Sequence, residues 1–231
     1  MWIGEVCATE LFGANRWTVS FFSNAEQQAT NSAFPMRPLG ELAEERRGSS
    51  DPQKLGDIEI TYLGLENIRS ITGELVDFAP RVARSIKSRS KIFRRNDVLY
   101  GRLRPELNKV FLAQGEVEDG LCSGEFIVLV PKTNLVLPRY FRHALASSFV
   151  TKFAEKFRAG ASLPRIAADD LLSIEIPVPP IEVQTEMVDQ LIEIDNEIVR
   201  LRSRLEKLPG SAERALLKAI SSGTSAVDPV L

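Results

Sequence analysis

The chain has 231 residues, 44% of them hydrophobic, which suits one ordinary domain with a core of its own plus an appendage. Its only cysteines, Cys7 and Cys122, are too few for a disulfide framework or a structural zinc site, and they indicate reduced thiols in a cytoplasmic protein. Because there is no signal-peptide pattern and no run of about 18 to 20 apolar residues, we expect neither export nor a membrane anchor.

The first half of the chain reads mainly as short strands. Residues 1 to about 34 mix aromatic and polar residues without a clean period, and we assign only a partial helix there. A short helix or turn over Leu39–Arg47 precedes a loop of turn formers from Gly48 to Pro52. The strands expected after this loop are Ile58–Leu65, Asp97–Tyr100, Val110–Leu112 and Glu125–Val130, the last ended by Pro131.

A strongly basic stretch lies among these strands. Between Arg81 and Lys109 there are ten Lys or Arg residues and two acids, Asp97 and Glu106, whereas the whole chain has 29 basic and 31 acidic residues and a net charge of -2. Charge runs are most often solvated faces, so charge alone does not decide its role. The alternative is a phosphate-binding face, and a nucleic acid is then the first candidate ligand.

The spacing within this stretch favours the second alternative. Arg102 and Arg104 flank Leu103 at the period of a strand, which predicts both guanidinium groups on one face and Leu103 in the core. Two parallel guanidinium groups can bind guanine edges or phosphates. We expect mainly phosphate contacts from Arg84, Lys87, Arg89, Lys91 and Arg94. Base-edge candidates are Arg102, Arg104, Asn108 and Lys109, then Ser162 and Arg165, with Ser123 and Glu125 undecided.

The second half of the chain turns to helical periods. Aromatic residues at helical intervals predict one amphipathic helix over Pro138–Phe157, and Ile174–Val178 is a last short strand before the prolines at 177, 179 and 180. A heptad helix of 28 residues, roughly 42 Å long, then runs from Ile181 to Leu208. We expect Pro209 and Gly210 to stop it and a second helix, Ala212–Ile220, to fold back. The seam consists of Met187, Leu191, Ile194, Ile198, Leu201, Leu205 and Leu208.

Five ordered motifs carry a resemblance to a known family. They are Tyr62–Ile68, Asp97–Lys109, Cys122–Phe126, Gly160–Ile166 and Ile176–Gln184. Together they resemble the target recognition domain of type I restriction-modification specificity subunits, and the heptad helix is similar to that family's spacer helix. The expected fold is α+β, with a β-centred recognition domain over residues 1–178, a helical spacer and dimerisation region over 179–220, and a flexible tail over 221–231.

The resemblance implies a non-catalytic subunit without a cofactor that reads one half of a split target in double-stranded DNA. It also implies an N6-adenine methyltransferase subunit and, where present, a translocating endonuclease as partners. Complete members have two recognition domains and two spacer helices, whereas this sequence has one of each and no internal repeat. A homodimer through antiparallel helices would rebuild the pair and read a palindromic split site.

Other functions fit the sequence less well. Pro179-Pro180 lacks the preceding Asn or Asp and the following aromatic residue of an adenine methyltransferase, and no glycine-rich loop follows a strand. His143 has no Ser or Cys at a recognisable spacing, so we assign it a structural or surface role. Three alternatives stay open. One is a nuclease with a degenerate metal site at Asp97, Asp119 and Glu125, and another is an assembly adaptor with a dimerising helix. The third is a piece of a fused methyltransferase-specificity polypeptide, although the starting Met favours a complete chain.

Overall fold

The computed structural model describes residues 32–157 and 163–221, and short strands dominate its first part. The strands are β1 (Met36–Pro38), β2 (Ala43–Glu45), β3 (Ser49–Ser50), β4 (Glu59–Ile60), β5 (Tyr62–Leu63), β6 (Arg81–Val82), β7 (Ser90–Phe93), β8 (Val98–Gly101), β9 (Val110–Leu112), β10 (Gly120–Ser123), β11 (Phe126–Pro131) and β12 (Glu175–Pro177). The α-helices are α1 (Leu39–Leu42), α2 (Pro138–Leu145), α3 (Ser148–Phe157), α4 (Ala168–Leu172) and α5 (Ile181–Ser221). Four 3₁₀ turns cover Pro52–Leu55, Leu65–Asn67, Ala83–Ser85 and Pro105–Leu107.

Two four-stranded sheets form the centre of the described fold. One has the order β2-β11-β8-β9 and is antiparallel throughout, whereas the other, β3-β7-β10-β5, contains one parallel pair between β10 and β5. Two-stranded ribbons join β1 to β12 and β4 to β6. The α+β fold with a β-centred domain is therefore confirmed, and so are the strands expected around 98–100, 110–112 and 126–130.

The hydrophobic core lies between the two sheets. Phe93 of β7, Leu99 of β8, Cys122 of β10 and Phe126 of β11 are all fully buried in one cluster. Cys122 is a free thiol, and burial raises its pKa to about 12, so it stays protonated and packs as a small apolar residue. The other cysteine and the partial helix expected over 1–34, apart from residues 32–34, lie outside the described residues.

The single helix expected over Pro138–Phe157 was wrong, because α2 and α3 are separate helices. The carbonyl of Ala146, directly after α2, accepts a hydrogen bond from Asn108 Nδ2 at 2.7 Å, and Ser147 Oγ accepts one from the N–H of Val150 at 3.3 Å. These side chains satisfy the polar groups of a helix end and of a helix start. The aromatic period could not reveal the break, since one of its causes lies 38 residues away.

Helix α5 begins where the sequence predicted, but it does not stop at Pro209. It continues for 41 residues to Ser221, with Pro209 inside it, so the separate Ala212–Ile220 helix was also wrong. Proline removes one backbone hydrogen bond, yet strong helix formers on both sides keep the remaining bonds in place. Ser211 Oγ also donates to the carbonyl of Lys207 at 3.1 Å, in the turn that contains the proline.

The start of α5 is fixed by a buried glutamine. Gln184 is fully buried, accepts the N–H of Leu137 at 2.8 Å and donates to the carbonyls of Leu135 and Pro179 at 3.0 and 2.8 Å. The first compact unit accordingly extends to Thr185, and the second begins at Glu186. Within the described ranges, no helix is both long and apolar enough to span a membrane.

Candidate nucleic-acid interface

Residues 102–109 form a loop between β8 and β9, which we call the arginine loop. Its backbone lies beside residues 163–166: the N–H of Arg104 donates to the carbonyl of Pro164 at 2.8 Å, and the N–H of Ile166 donates to that of Arg102 at 3.1 Å. The N–H of Arg102 also donates to the carbonyl of Glu125 at 2.8 Å. Two distant parts of the sequence, both predicted to contribute site residues, are therefore brought together.

The strand alternation expected at Arg102 and Arg104 does not hold. Strand β8 ends at Gly101, Leu103 is only partly buried, and Arg104 has a left-handed backbone with φ of 50°. Pro105 disfavours the right-handed helical region for Arg104, and a 3₁₀ turn begins directly after it, so a regular strand does not continue past Gly101. The two arginines share a loop rather than one face of a regular strand.

Glu125 joins the two parts of the cluster. Arg165 binds its carboxylate with two nitrogens, Nη2 to Oε1 at 2.7 Å and Nε to Oε2 at 2.9 Å. The hydrogen bonds from Arg165 lower the pKa of Glu125, and the positive charge of Arg102 lowers it further, whereas burial raises it. Glu125 thus lies beside Arg165 and within the field of Arg102, while Arg104 pairs with Glu106. With three arginines and two carboxylates, the cluster keeps a positive excess of one.

Arg102 is the least satisfied member of this cluster. Its Nε is buried and has no hydrogen-bond partner among the described residues, whereas the residue as a whole is only partly buried. Arg104 is 54% exposed at the side chain and lies 3.4 Å from Glu106, measured from Nε to Oε1. Two arginines with spare donors in one loop are what recognition of phosphates or base edges requires.

Asn108 and Lys109 have partners inside the domain. Asn108 is buried, adopts φ of 48° and donates to Ala146, while Lys109 Nζ donates to the carbonyl of Leu65 at 2.7 Å. These contacts tie the end of the arginine loop to α2 and to the Leu65–Asn67 turn. Ser162 lies outside the described residues.

The basic residues before the arginine loop divide into two groups. Lys91 Nζ lies 2.9 Å from Glu45 Oε1, Arg84 pairs with Asp57, and Arg89 Nη2 donates to Ser49 Oγ at 3.0 Å. Lys87 and Arg94 are exposed and form no ion pair with the described residues. The five candidates for phosphate contacts therefore differ in how much of their charge is already compensated.

A buried ion pair behind this surface was missed by sequence reasoning. Asp97 is 1% exposed and accepts hydrogen bonds from Arg46 Nε at 2.6 Å, from Arg46 Nη2 at 2.9 Å and from the N–H of Arg94 at 2.8 Å. No sequence signal joins positions 46 and 97, which are 51 residues apart.

Two of the three carboxylates considered as nuclease metal ligands, Asp97 and Glu125, each form an ion pair with an arginine. Among the described residues, no group of three His, Cys, Asp or Glu side chains is arranged to hold a metal ion. His143 Nδ1 lies 3.1 Å from Arg142 Nη1, and Arg142 is a buried side chain that contacts backbone carbonyls. These contacts are consistent with the structural role expected for His143.

The apolar seam of α5 is a second candidate surface. Five of its side chains are exposed by 37% to 66%, namely Met187, Ile194, Leu201, Leu205 and Leu208, while Leu191 and Ile198 are partly buried. The helix is also electrically polar: residues 181–198 contain six acids and no base, and residues 199–221 contain six bases and two acids. An exposed apolar seam on a helix of this length is typical of coiled-coil pairing.

Fold and surfaces together define a class of protein: a β-rich recognition domain with a cationic loop cluster, joined to a long helix with an exposed apolar seam. A family model described as the type I restriction modification DNA specificity domain matches residues 34–208. The chain belongs to this family, as the five motifs indicated, and has one recognition domain of the kind found in specificity subunits.

Curated relatives and solved structures agree with this membership. The chain is 27% identical over 169 residues to the type I restriction enzyme EcoDI specificity subunit of Escherichia coli, covering 68% of this chain and 37% of that protein. It is 24% identical over 131 residues to the HindI specificity subunit of Haemophilus influenzae, covering 56% of this chain and 28% of that protein. The chain therefore spans well under half the length of these relatives.

The structural neighbours have the same fold. The HsdS subunit from Thermoanaerobacter tengcongensis matches with a TM-score of 0.63 and 25% identity, covering 84% of this chain and 51% of that chain. A chain from a study of complex assembly and conformational transition of the type I R-M system matches with a TM-score of 0.64 and 25% identity, covering 85% of this chain and 51% of that one.

Proposed function

We propose that this chain is the DNA-reading part of a type I restriction-modification system and binds one half of a split double-stranded target. The observation that carries the proposal is the convergence of Arg102, Arg104 and Arg165 at one loop cluster in a family defined by DNA specificity. Arginine provides the commonest specific contact to guanine edges, although phosphate is its commoner partner overall. The chain itself is not an enzyme in this proposal and requires no cofactor.

The residues of the site take different roles. Arg102, Arg104 and Arg165 read bases or clamp the phosphates next to them, and Glu125 positions Arg165 beside the arginine loop. Lys87, Arg89 and Arg94 attract the phosphate backbone, joined by Arg84 and Lys91 to the extent that DNA displaces their acidic partners. Asn108 and Lys109 support the loop through their carbonyl contacts. Ser162 remains a candidate on sequence grounds alone.

A second copy of the chain is the proposed partner of α5. Two copies placed antiparallel bring the acidic half of each helix against the basic half of the other, while a parallel pair sets like charges against each other. Opposite charges beside the apolar seam set the orientation of coiled-coil partners. Such a homodimer has twofold symmetry and two recognition domains, and it would read a palindromic split site.

The dimer would then recruit an N6-adenine methyltransferase subunit and, where present, an endonuclease that translocates DNA. This assembly would act in the cytoplasm, where its DNA substrate lies. Co-expression of the chain with the N6-adenine methyltransferase subunit of a type I system from the same source, followed by mapping of methylated adenines across the host genome, tests the whole proposal. Methylation at one split, palindromic sequence is the expected result.

The same experiment distinguishes the proposal from its rivals. An assembly adaptor that binds only protein would co-purify with the methyltransferase but leave no sequence-specific mark. A variant in which Arg102 and Arg104 are both alanine is the matched control, because it should keep the partner and lose the mark. Magnesium-dependent cleavage of DNA by the purified chain alone would contradict the non-catalytic role.

A further inference from the structure

A tight hairpin next to the arginine loop projects an exposed isoleucine. Ile68 and Leu75 form an antiparallel bridge, the N–H of Arg69 donates to the carbonyl of Glu74 at 2.9 Å, and Ile71 lies at the tip. Ile71 has φ of 70°, and the N–H of Thr72 donates to the carbonyl of Ser70 at 2.8 Å. A hydrogen bond across three residues with positive φ at the centre is a rare and strained turn.

The choice of isoleucine at this tip is unfavourable for the isolated domain on two counts. A β-branched side chain at positive φ is a genuine outlier, since a left-handed backbone favours Gly, Asn or Asp. The side chain is also 68% exposed, so it gains little from burial. An apolar side chain that is both strained and exposed points to a function outside the folding of its own domain.

The surrounding structure holds Ile71 in place. Its N–H donates to the carbonyl of Asn108 at 2.8 Å, and the buried guanidinium group of Arg142 donates to the carbonyl of Thr72. Gly73 lets the hairpin approach this closely, because a Cβ there would lie 2.0 Å from the carbonyl oxygen of Val110. The hairpin tip is thus fastened to the arginine loop and to α2 at several points, and the isoleucine is presented in one fixed position.

The hydrogen bond to Asn108 holds Ile71 close to the end of the arginine loop. Asn108 follows Arg104 by four residues, a span of at most about 14 Å even for an extended chain. Leu107, next to Asn108, is 37% exposed, and Leu163, beside Arg165, is 52% exposed. The arginine cluster is therefore bordered by exposed aliphatic side chains on both the loop and the neighbouring segment.

We propose that Ile71 is a specificity-determining residue that packs against the C5-methyl group of a thymine in the major groove, beside bases or phosphates bound by Arg102 and Arg104. This inference rests on the proposed DNA-reading function. An aliphatic side chain gains nothing from phosphate, and the thymine methyl is the one apolar group among the four bases' major-groove edges. A rigid turn suits this contact, because no side-chain or loop ordering is then required on binding.

The test begins with duplexes selected from a random pool by the full-length wild-type chain. Each thymine of the selected sequence is then replaced singly by uracil, which removes the methyl group and keeps every hydrogen-bonding group. We expect one position at which uracil weakens wild-type binding by about 3- to 5-fold, the effect of losing one buried methyl group. Ile71→Ala should weaken binding to the unmodified duplex by about 5- to 10-fold and remove the response to uracil at that position.

Two further variants separate this role from a structural one. Ile58→Ala truncates another exposed isoleucine, directly before β4, and should leave both affinity and uracil response unchanged. Ile71→Gly relieves the positive φ and should raise the thermal midpoint by about 2 to 4 °C, although it weakens DNA binding. A residue needed only for folding would instead lower the midpoint when replaced by glycine.

Four outcomes overturn the inference. If no thymine responds to uracil, or if Ile71→Ala responds as the wild type does, Ile71 does not read a methyl group, while the proposed DNA-reading function stands. If Ile71→Ala binds DNA normally but no longer retains the methyltransferase subunit, the residue contacts protein. If the wild-type chain and its dimer select no sequence at all, the proposed function fails together with the inference.

Discussion

The seam of α5 provides the most direct test of how two copies of the chain would assemble. Ile198 occupies its middle, with three seam residues on either side, and in an antiparallel homodimer the two Ile198 side chains lie near the twofold axis. Burying an isoleucine contributes roughly 1.5 to 3 kcal/mol, so Ile198→Asp removes about 3 to 6 kcal/mol from a dimer that contains two copies. The dissociation constant should rise by about 10² to 10⁴.

Sedimentation equilibrium and light scattering measure this directly. The wild-type chain at micromolar concentration should give twice the monomer mass of 25.7 kDa, and Ile198→Asp should give the monomer mass. Asn196→Asp is the matched control, because it adds the same charge two residues away, at an exposed position outside the seam. Monomeric wild-type protein, or equal masses for Ile198→Asp and the wild type, would refute the pairing of these helices.

Three further predictions concern the recognition domain and the helix. Arg102→Ala should weaken binding to the specific duplex by about 1 to 3 kcal/mol more than binding to random duplex in a fluorescence titration, whereas equal losses would assign Arg102 to phosphate. Asp97→Ala leaves Arg46 without its partner and should lower the free energy of unfolding in urea by about 3 kcal/mol. The control Glu41→Ala breaks an exposed ion pair and should lower it by under about 1 kcal/mol. Similar losses for the two variants would disprove the structural role of Asp97. Pro209→Ala restores a backbone donor and should raise thermal stability without changing the circular dichroism signal at about 222 nm. A large gain in helical signal would instead indicate that the helix of the wild-type chain ends at Pro209.

The sequence predicted those parts of the fold that depend on local patterns. The strand from Phe126 to Pro131 is a continuous apolar run, and the start of α5 follows directly from Pro179 and Pro180. The helix break at Ala146 depends on Asn108, and the orientation of the arginine loop depends on residues 163–166. Contacts between distant segments leave no periodic signal, so neither feature was accessible from spacing.

Pro209 shows the opposite limit of local reasoning. Proline and glycine in succession are a strong stop signal, yet each costs a helix only a bounded amount of free energy, about 3 and 1 kcal/mol. Leu205, Glu206, Lys207 and Leu208 before the pair and the alanines and leucines after it are good helix formers. A stop signal is therefore better weighed against the residues that follow it than applied alone.

For the proposed recognition surface, the residues named from the sequence stay a prediction, and the structure adds which of their charges are already paired. The local excess of positive charge between residues 81 and 109 is reduced in the folded domain, because Arg81, Arg84, Lys91 and Arg95 each pair with an acid from outside that stretch. Among the described residues, charge without an acidic partner lies at exposed Lys87, Arg89 and Arg94 and around the arginine loop. A broad basic face would bind any duplex, whereas a narrow group of arginines beside fixed aliphatic side chains favours contact with particular bases. If the chain reads DNA as proposed, the acidic partners would limit nonspecific attraction and leave discrimination to the arginine loop and the residues next to it.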